Sequence, residues 1–327
     1  MISISYSIMD TSINSFDTEL AEFENNIELN LEKMLRDNSL NLSQQQKRYI
    51  NKLRQYKDTI IRANPDLLLR YQKEFDKIIS PKKMSSDLFK AFRKKIIEEL
   101  GYKSKRTSFY PKYFYKIGIK SCVYCNAHLT VAIEEEEQLK TKNKIIYKAK
   151  FQVDHFWPQA KYPCFCISLY NLYPACGNCN NCKKVSDVDF SLYSNKNKNV
   201  GSPFRFRLDE GVVAKYLLNR KHEDITFHFD EPEVIAPFKK FQEVFDLEGI
   251  YSTQKDLAEE LILKAEVYTE QYKAKLKKQF PNLFKAPGVF NRLLLGNYPS
   301  EQDIHKRPMA KFTVDIAKQV GLIKKKQ

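Results

Sequence analysis

The stretch Cys122-Val-Tyr-Cys125 and its counterpart Cys176-Gly-Asn-Cys179 decide how the centre of this sequence folds. A CxxC pair points two sulfur atoms inward from one tight turn, and two pairs complete a tetrahedral Zn–S₄ site of the closed, structural kind. The 50 residues between the two pairs include strand-like sequence. We therefore expect a structural zinc ion that holds a small, strand-containing unit together.

The spacing alone leaves the second pair open. Cys179 and Cys182 have the same CxxC spacing as the preferred pair, and Cys164 and Cys166 are further candidates. The alternative for cysteines outside the zinc site is that they are small buried hydrophobic residues.

Two conspicuous segments lie between the cysteine pairs and a third follows them. The first reads Phe151-Gln-Val-Asp154-His155-Phe-Trp-Pro158, the second reads Tyr170-Asn171-Leu-Tyr-Pro-Ala, and the last reads Asn180-Asn-Cys-Lys183. Their order over residues 120–186 resembles the zinc-containing branch of the HNH endonucleases. The resemblance implies a ββα-metal fold in which the first strand ends at Asp154-His155 and the second begins near Asn171. It also selects Cys176 and Cys179 as the second zinc pair.

The chemistry of the marked residues fits phosphodiester hydrolysis. Asp154 supplies a hard oxygen ligand suited to Mg²⁺ or Mn²⁺, and Asn180 supplies a second, neutral oxygen. His155 is the expected general base because an ordinary imidazole titrates near neutrality. Asn171 is expected to orient the loop or the imidazole. Lys183 is expected either to contact phosphate or to be a solvated helix lysine.

Two departures from the family pattern stand out. Asn180 occupies a position where many members have histidine, and residues 127–153 lengthen the spacing between the first cysteine pair and Asp154. The segment 155–163, followed by Tyr170-Asn171-Leu, is similar to the HNH subunit of Septu-type anti-phage systems, which works with an ATPase partner. That similarity implies a bacterial defence effector controlled by its partner. DNA is the default substrate because cleavage by in-line water attack does not need a 2′-hydroxyl, and Lys161 and Lys183 are the predicted nucleic-acid contacts. The alternatives are a ribonuclease, acting on tRNA for example, and a non-enzymatic zinc module that binds nucleic acid.

Charge supports a polyanionic partner. The chain has 55 basic and 40 acidic residues, a formal net charge of +15. Residues 81–120 contain 12 bases and 3 acids, whereas residues 1–40 contain 2 bases and 8 acids. The positive charge is therefore concentrated just before the first cysteine pair, where it would attract phosphate. The start of the chain does not have the pattern of a signal peptide, and we expect a cytoplasmic protein.

The fold class expected from the sequence is α+β, with mainly helical flanks around the nuclease core. The expected regions are a helical 1–107, the core 108–200 and a mixed, then helical 201–327 that could dock a partner. Apolar spacing predicts helices over residues 10–100, broken at Asn64-Pro65 and Ser80-Pro81. The aromatic and basic stretch 108–119 favours either nucleic-acid stacking or a core segment with snorkelling lysines.

Several shorter elements complete the prediction. β-Branched and aromatic residues predict strands over 127–133 and 145–153, with 134–144 as the tip of the hairpin. Further short strands are predicted over 204–207, 212–218 and 225–229, and helices from residue 254 onward. Ser300 and Asp303 resemble a capping box that opens the last helix. Lys324, Lys325 and Lys326 are expected to form a frayed tail.

Overall fold

The computed structural model describes residues 2–138, 143–184, 186–195 and 202–324. Its fold is α+β, as predicted. The N-terminal helices are α1 (Tyr6–Asn14), α2 (Asp17–Arg36), α3 (Gln44–Gln55), α4 (Lys57–Ile60), α5 (Pro65–Ile78), α6 (Pro81–Ser85), α7 (Lys90–Glu99), α8 (Tyr102–Ser108) and α9 (Tyr110–Ile117).

The two predicted proline breaks are confirmed as helix starts. Asn64 caps α5, and its side chain accepts a hydrogen bond from the backbone N–H of Leu67. Ser80 caps α6 in the same way, through the N–H of Lys83. Proline follows each cap directly, where its missing N–H leaves no helical hydrogen bond unmade.

Helix α9 resolves the two interpretations of the aromatic and basic stretch. Tyr110, Tyr113 and Phe114 are buried in the core. The ammonium group of Lys112 lies 5.3 Å from the centre of the Phe16 ring. The core segment with snorkelling lysines is therefore the arrangement found, and these three rings are not available to stack on bases.

The strands form two-stranded sheets. They are β1 (Ile4–Ser5), β2 (Val131–Gln138), β3 (Asn143–Lys150), β4 (Gln152–His155), β5 (Leu172–Ala175), β6 (Tyr193–Ser194), β7 (Arg205–Leu208) and β8 (Phe227–Asp230). The pairs β2–β3, β4–β5 and β7–β8 are antiparallel, and β1–β6 is parallel. Helix α10 (Gly177–Lys183) follows β5 and completes a β4–β5–α10 unit.

The hairpin is longer than its sequence predicts. Residues 134–138 were expected in the tip, but they continue β2, and the residues left for the tip, 139–142, lie outside the described part of the chain. Side chains of β3 hydrogen-bond to three of the four glutamates in the strand, Glu134, Glu135 and Glu136. The Tyr147 hydroxyl donates to Glu134 at 2.6 Å, and Lys148 lies 2.6 Å from Glu135. The predicted second strand is divided, since β3 ends at Lys150 and β4 begins at Gln152.

The prediction of a strand over 212–218 is wrong. These residues form α11 (Val212–Asn219), which starts after Gly211 in the left-handed conformation at φ 75°. Val212 and Tyr216 are both buried, and this four-residue spacing places them on one helical face. The strands predicted near 204–207 and 225–229 are found as β7 and β8, each shifted by one or two residues.

Helices dominate the rest of the chain. They are α12 (Phe241–Phe245), α13 (Leu247–Ser252), α14 (Lys255–Val267), α15 (Glu270–Gln279), α16 (Val289–Leu295) and α17 (Ala310–Gln319). Ser300 caps a 3₁₀ turn, Glu301–Lys306, by accepting from the N–H of Gln302, so it does not open the last helix. Of the predicted lysine tail, Lys325 and Lys326 lie outside the described residues.

All three predicted regions contribute to one hydrophobic core. The N–H of Leu169 donates to Ile61 of the N-terminal helices at 2.8 Å. From the C-terminal side, the Tyr251 hydroxyl donates to the carbonyl of Cys125 at 2.8 Å. The segment before β5 and the first cysteine pair are thus each held by one of the flanking regions. None of the described helices combines the length and apolar character needed to cross a membrane.

Candidate functional site

The structure brings four cysteines together at the centre of the fold. The sulfur atoms of Cys122, Cys125, Cys176 and Cys179 lie within 4.8 Å of one another, and all four residues are buried. Backbone N–H groups point at the sulfurs, for example that of Cys176 at Sγ of Cys122 over 3.3 Å. Such a cluster could hold a structural metal ion.

The remaining cysteines take no part in this cluster. Cys182 is exposed, so it is neither a member of the cluster nor the buried hydrophobic residue that the sequence suggested. Cys164 and Cys166 are buried, and burial raises the pKa of both thiols. Both therefore stay protonated at neutral pH, which fits the expectation of small buried apolar residues.

His128 joins the edge of the cluster, although the sequence gave it no assigned role. Its Nδ1 lies 3.5 Å from Sγ of Cys125, and this contact raises the pKa of the imidazole. The available signal was its position three residues after Cys125. His128 can therefore offset negative charge on the thiolates.

The antiparallel pair β4–β5 places Asp154 opposite Tyr173 and His155 opposite Leu172. Because successive side chains in a strand alternate between faces, Asp154 and His155 point to opposite sides of the pair. Gln152 shares the face of Asp154. Helix α10 packs on β4 and brings Asn180 and Lys183 to that face.

The Asp154 carboxylate is held by two donors at one oxygen. Nζ of Lys183 lies 2.9 Å from Oδ2, and the Tyr124 hydroxyl donates to the same atom over 2.5 Å. All three residues are buried. Among the described residues no hydrogen bond reaches Oδ1, so this oxygen keeps its lone pairs for another ligand.

Lys183 is oriented inward, unlike either of its expected roles. Its side chain is 1% exposed, and its ammonium group also donates to the carbonyl of His155 at 3.0 Å. It is therefore not a solvated helix lysine, and in this arrangement it does not face a phosphate. Lys161, the other predicted nucleic-acid contact, pairs with Asp187 at 2.6 Å.

His155 occupies a buried pocket on the other face of β4. Its Nε2 lies 3.1 Å from the carbonyl oxygen of Cys166 and 3.1 Å from Nε2 of Gln159, and its ring contacts that of Tyr102. A carbonyl oxygen can only accept, so a hydrogen bond to Cys166 places the proton on Nε2 and leaves Nδ1 as the basic nitrogen. The amide nitrogen of Gln159 is itself a donor, so with this tautomer it makes no hydrogen bond to Nε2. Burial lowers the pKa of His155 to about 4, below the near-neutral value expected from the sequence. The imidazole is consequently neutral at pH 7.

Asn171 organises the loop between the two strands. Its Oδ1 accepts from the N–H of Trp157 at 2.7 Å, and its Nδ2 donates to the carbonyl of Phe165 at 2.9 Å. This matches the loop-orienting role expected for it, while the imidazole is held by other groups.

Asn180 lies at the surface end of the same face as Asp154. Its Nδ2 donates to Oε1 of Gln152 at 2.6 Å, and its own Oδ1 accepts no hydrogen bond from the described residues. Asp154 and Asn180 therefore each offer one oxygen that accepts no hydrogen bond from the described residues, and carboxylate and amide oxygens are ligand types that a hard divalent cation prefers. The His155 ring makes no hydrogen bond to either of them.

Comparison with known proteins does not assign the chain to a family. No family model, no curated protein and no solved structure matches the chain.

Proposed function

We propose that this chain is a metal-dependent HNH endonuclease that hydrolyses phosphodiester bonds in DNA. The observation that supports it most is the β4–β5–α10 unit, which carries Asp154 and His155 at a strand end and Asn180 on the helix, beside the four-cysteine cluster. Four sulfur ligands suit Zn²⁺ in a closed site, so the proposed zinc is structural. The two unused oxygens, from Asp154 and Asn180, would hold the catalytic Mg²⁺ or Mn²⁺.

Each residue has a separate task in the proposed reaction. The oxygen of a water molecule bonds to phosphorus, and Nδ1 of His155 takes one proton from that water. The bond from phosphorus to the leaving oxygen breaks, and that oxygen keeps the electron pair and takes a proton from solvent. A divalent ion at this site would neutralise the charge that builds up on the phosphate oxygens. The neutral imidazole at pH 7 is the form that can accept a proton. Lys183 orients the Asp154 carboxylate and the His155 backbone.

Helix α8 supplies a positively charged surface next to this site. Tyr102, at its first position, places its ring 5.1 Å from the His155 ring. Lys103 and Arg106 of the same helix are exposed. A polyanion that follows this helix would therefore reach the strand end that carries His155, which favours a nucleic-acid substrate.

The proposed setting is bacterial anti-phage defence, in which an ATPase partner controls cutting. It is supported by the similarity of residues 155–163 to the Septu-type HNH subunit. In the structure this loop packs on the N-terminal helices, where Gln72 of α5 donates to the Tyr162 hydroxyl at 3.1 Å. A partner bound to those helices would have a direct connection to the loop.

The decisive test is nucleolytic activity of the purified chain on supercoiled plasmid and on total RNA, with Mg²⁺ or Mn²⁺, alone and with any co-purified partner. We expect plasmid cleavage that falls about 10²–10⁴-fold in His155→Ala, the usual effect of removing a general base. His222→Ala is the matched control, because His222 is an exposed histidine remote from β4 in the chain. Cleavage of RNA alone would establish a ribonuclease instead. Binding without cleavage of either substrate would establish a non-enzymatic zinc module.

The α8 surface is tested separately by salt dependence. Lys103→Ala and Arg106→Ala should each weaken DNA binding whatever the sequence, and should lower the slope of log K against log salt by about 1. An unchanged slope in both variants would remove α8 from the substrate path without affecting the cleavage test.

A further inference from the structure

Tyr124 lies between the two cysteines of the first pair. Its side chain extends from the four-cysteine cluster to the face of β4 that carries Asp154. The residue is fully buried. Its ring stacks on that of Phe245 from α12 at 4.8 Å and also packs against Phe241 and Phe190. Cys125 follows it directly in the chain, and only Val123 separates it from Cys122. Tyr124 is therefore fixed at its backbone by Cys122 and Cys125 and at its ring by the aromatic core.

The hydroxyl group ends at the carboxylate that the proposed function assigns to the catalytic metal. It donates to Oδ2 of Asp154, the oxygen that Lys183 also binds, while Oδ1 has no donor among the described residues. Two donors on one oxygen fix the carboxylate in a single orientation and direct the other oxygen away from them. Groups that hydrogen-bond a metal-ligating carboxylate set its orientation and affect metal affinity strongly.

We propose that Tyr124 is a positioning residue that carries the rigidity of the four-cysteine site to the Asp154 carboxylate. The inference rests on the proposed function, because it concerns the orientation of the proposed metal ligand. The structural metal site then has a second consequence besides folding. It places the hydroxyl that presents Asp154 Oδ1 to the catalytic ion.

The test is Tyr124→Phe, which retains the buried ring and removes only the hydroxyl. Tyr110→Phe is the matched control, since the Tyr110 side chain is equally buried and its hydroxyl has no hydrogen-bond partner among the described residues. Mn²⁺ binding is measured by electron paramagnetic resonance on the zinc-loaded full chain, and zinc content by elemental analysis. We expect Tyr124→Phe to retain its zinc and to bind Mn²⁺ about 10–100-fold more weakly. Tyr110→Phe should bind Mn²⁺ like the wild type.

Cleavage kinetics provide a second readout. In Tyr124→Phe the KM for Mn²⁺ should rise while kcat at saturating Mn²⁺ is retained, a split that a general loss of stability would not produce. Equal Mn²⁺ affinity in Tyr124→Phe and wild type would overturn the inference and leave the nuclease proposal intact. Loss of zinc from Tyr124→Phe would also overturn it, because the hydroxyl would then maintain the cluster itself. A wild-type chain that neither binds Mn²⁺ nor cuts would instead refute the proposed function, and the inference with it.

Discussion

Replacing Lys183 by methionine tests the buried ion pair on which the arrangement of the site depends. Methionine retains most of the length and apolar packing of the lysine and removes its charge. The pair joins Nζ of Lys183 to Oδ2 of Asp154 at 2.9 Å, with side chains only 1% and 7% exposed. Loss of one partner leaves the other charge buried without compensation, which typically destabilises a protein by about 3–5 kcal/mol. We expect Lys183→Met to lose that much unfolding free energy.

A second lysine pair in the same region provides the control. Lys161 lies 2.6 Å from Asp187, a shorter contact, but the two side chains are 30% and 24% exposed. Water screens this pair and solvates whichever charge is left, so Lys161→Met should cost about 0–1 kcal/mol. The comparison separates the effect of burial from that of distance. The buried pair has the longer distance between nitrogen and oxygen, but it is predicted to contribute more to the free energy of unfolding.

Urea unfolding measures both variants. The single tryptophan of the chain, Trp157, reports on the loop by fluorescence, and circular dichroism reports on the helices. The double variant Lys183→Met with Asp154→Asn should be more stable than Lys183→Met alone, because the carboxylate that had become uncompensated is now neutral. Equal losses for Lys183→Met and Lys161→Met, or additive losses in the double variant, would refute a buried, mutually compensating pair.

Three further predictions concern folding and the loop. Cys122→Ser should reduce bound zinc from about one ion per chain to none and should unfold the site, since structural zinc contributes on the order of 10 kcal/mol to the folding of such sites. Unchanged zinc content by elemental analysis would contradict zinc binding by the four cysteines. Burial lowers the pKa of His305 to about 3, whereas an unfolded histidine titrates near 6.5, so the unfolded chain takes up the proton first as the pH falls. Between pH 7 and pH 5 the unfolding free energy of the wild type should therefore drop by about 2 kcal/mol more than that of His305→Gln. Urea unfolding at each pH measures this difference, and parallel pH profiles of the two proteins would show that the pKa of His305 is not lowered. Asn171→Ala leaves the Trp157 N–H and the Phe165 carbonyl unpaired, so it should lower the unfolding free energy by about 1–3 kcal/mol. The fluorescence emission of Trp157 should also shift to longer wavelength. An unchanged spectrum would argue that Asn171 does not organise the loop.

The centre of the fold was predictable because its determinants are local. The CxxC spacing limits which cysteines can share a turn, and the family resemblance selects Cys176 and Cys179 over Cys179 and Cys182. The segments around Asp154 and Asn171 form β4 and β5 where the resemblance placed them. The start of α10 is set by Cys176, whose side chain accepts from the N–H of Cys179. Cys176 thus both caps α10 and belongs to the four-cysteine cluster. The position of Asn180 on α10 is therefore fixed relative to the cluster.

The errors arose where burial, and not local pattern, decides the structure. The run from Val212 to Leu218 is as apolar and β-branched as a strand, but the core receives only one side of it at helical spacing. The glutamates of β2 look like a loop because they are charged, yet a two-stranded ribbon exposed on both faces accepts charge readily. Tyr124 and Gln152 carry no motif signal of their own, and their roles depend on what the fold places within hydrogen-bonding distance of them.

The β4–β5–α10 unit is too small to fix its own geometry. Four-residue strands and a seven-residue helix are marginal alone, because a lone hairpin buries little surface and a short helix does not recover its nucleation free energy. Contacts with the rest of the chain must therefore fix the geometry of this unit, and Asn126 makes several such contacts. This residue follows the first cysteine pair, accepts from the N–H groups of Met309 and Lys311, and donates through Nδ2 to the carbonyl of Ile304. The C-terminal region, which the sequence suggested as a partner-docking surface, is thereby part of the framework of the site. Any partner that moves residues 304–311 would act directly on the cysteine turn that carries Tyr124.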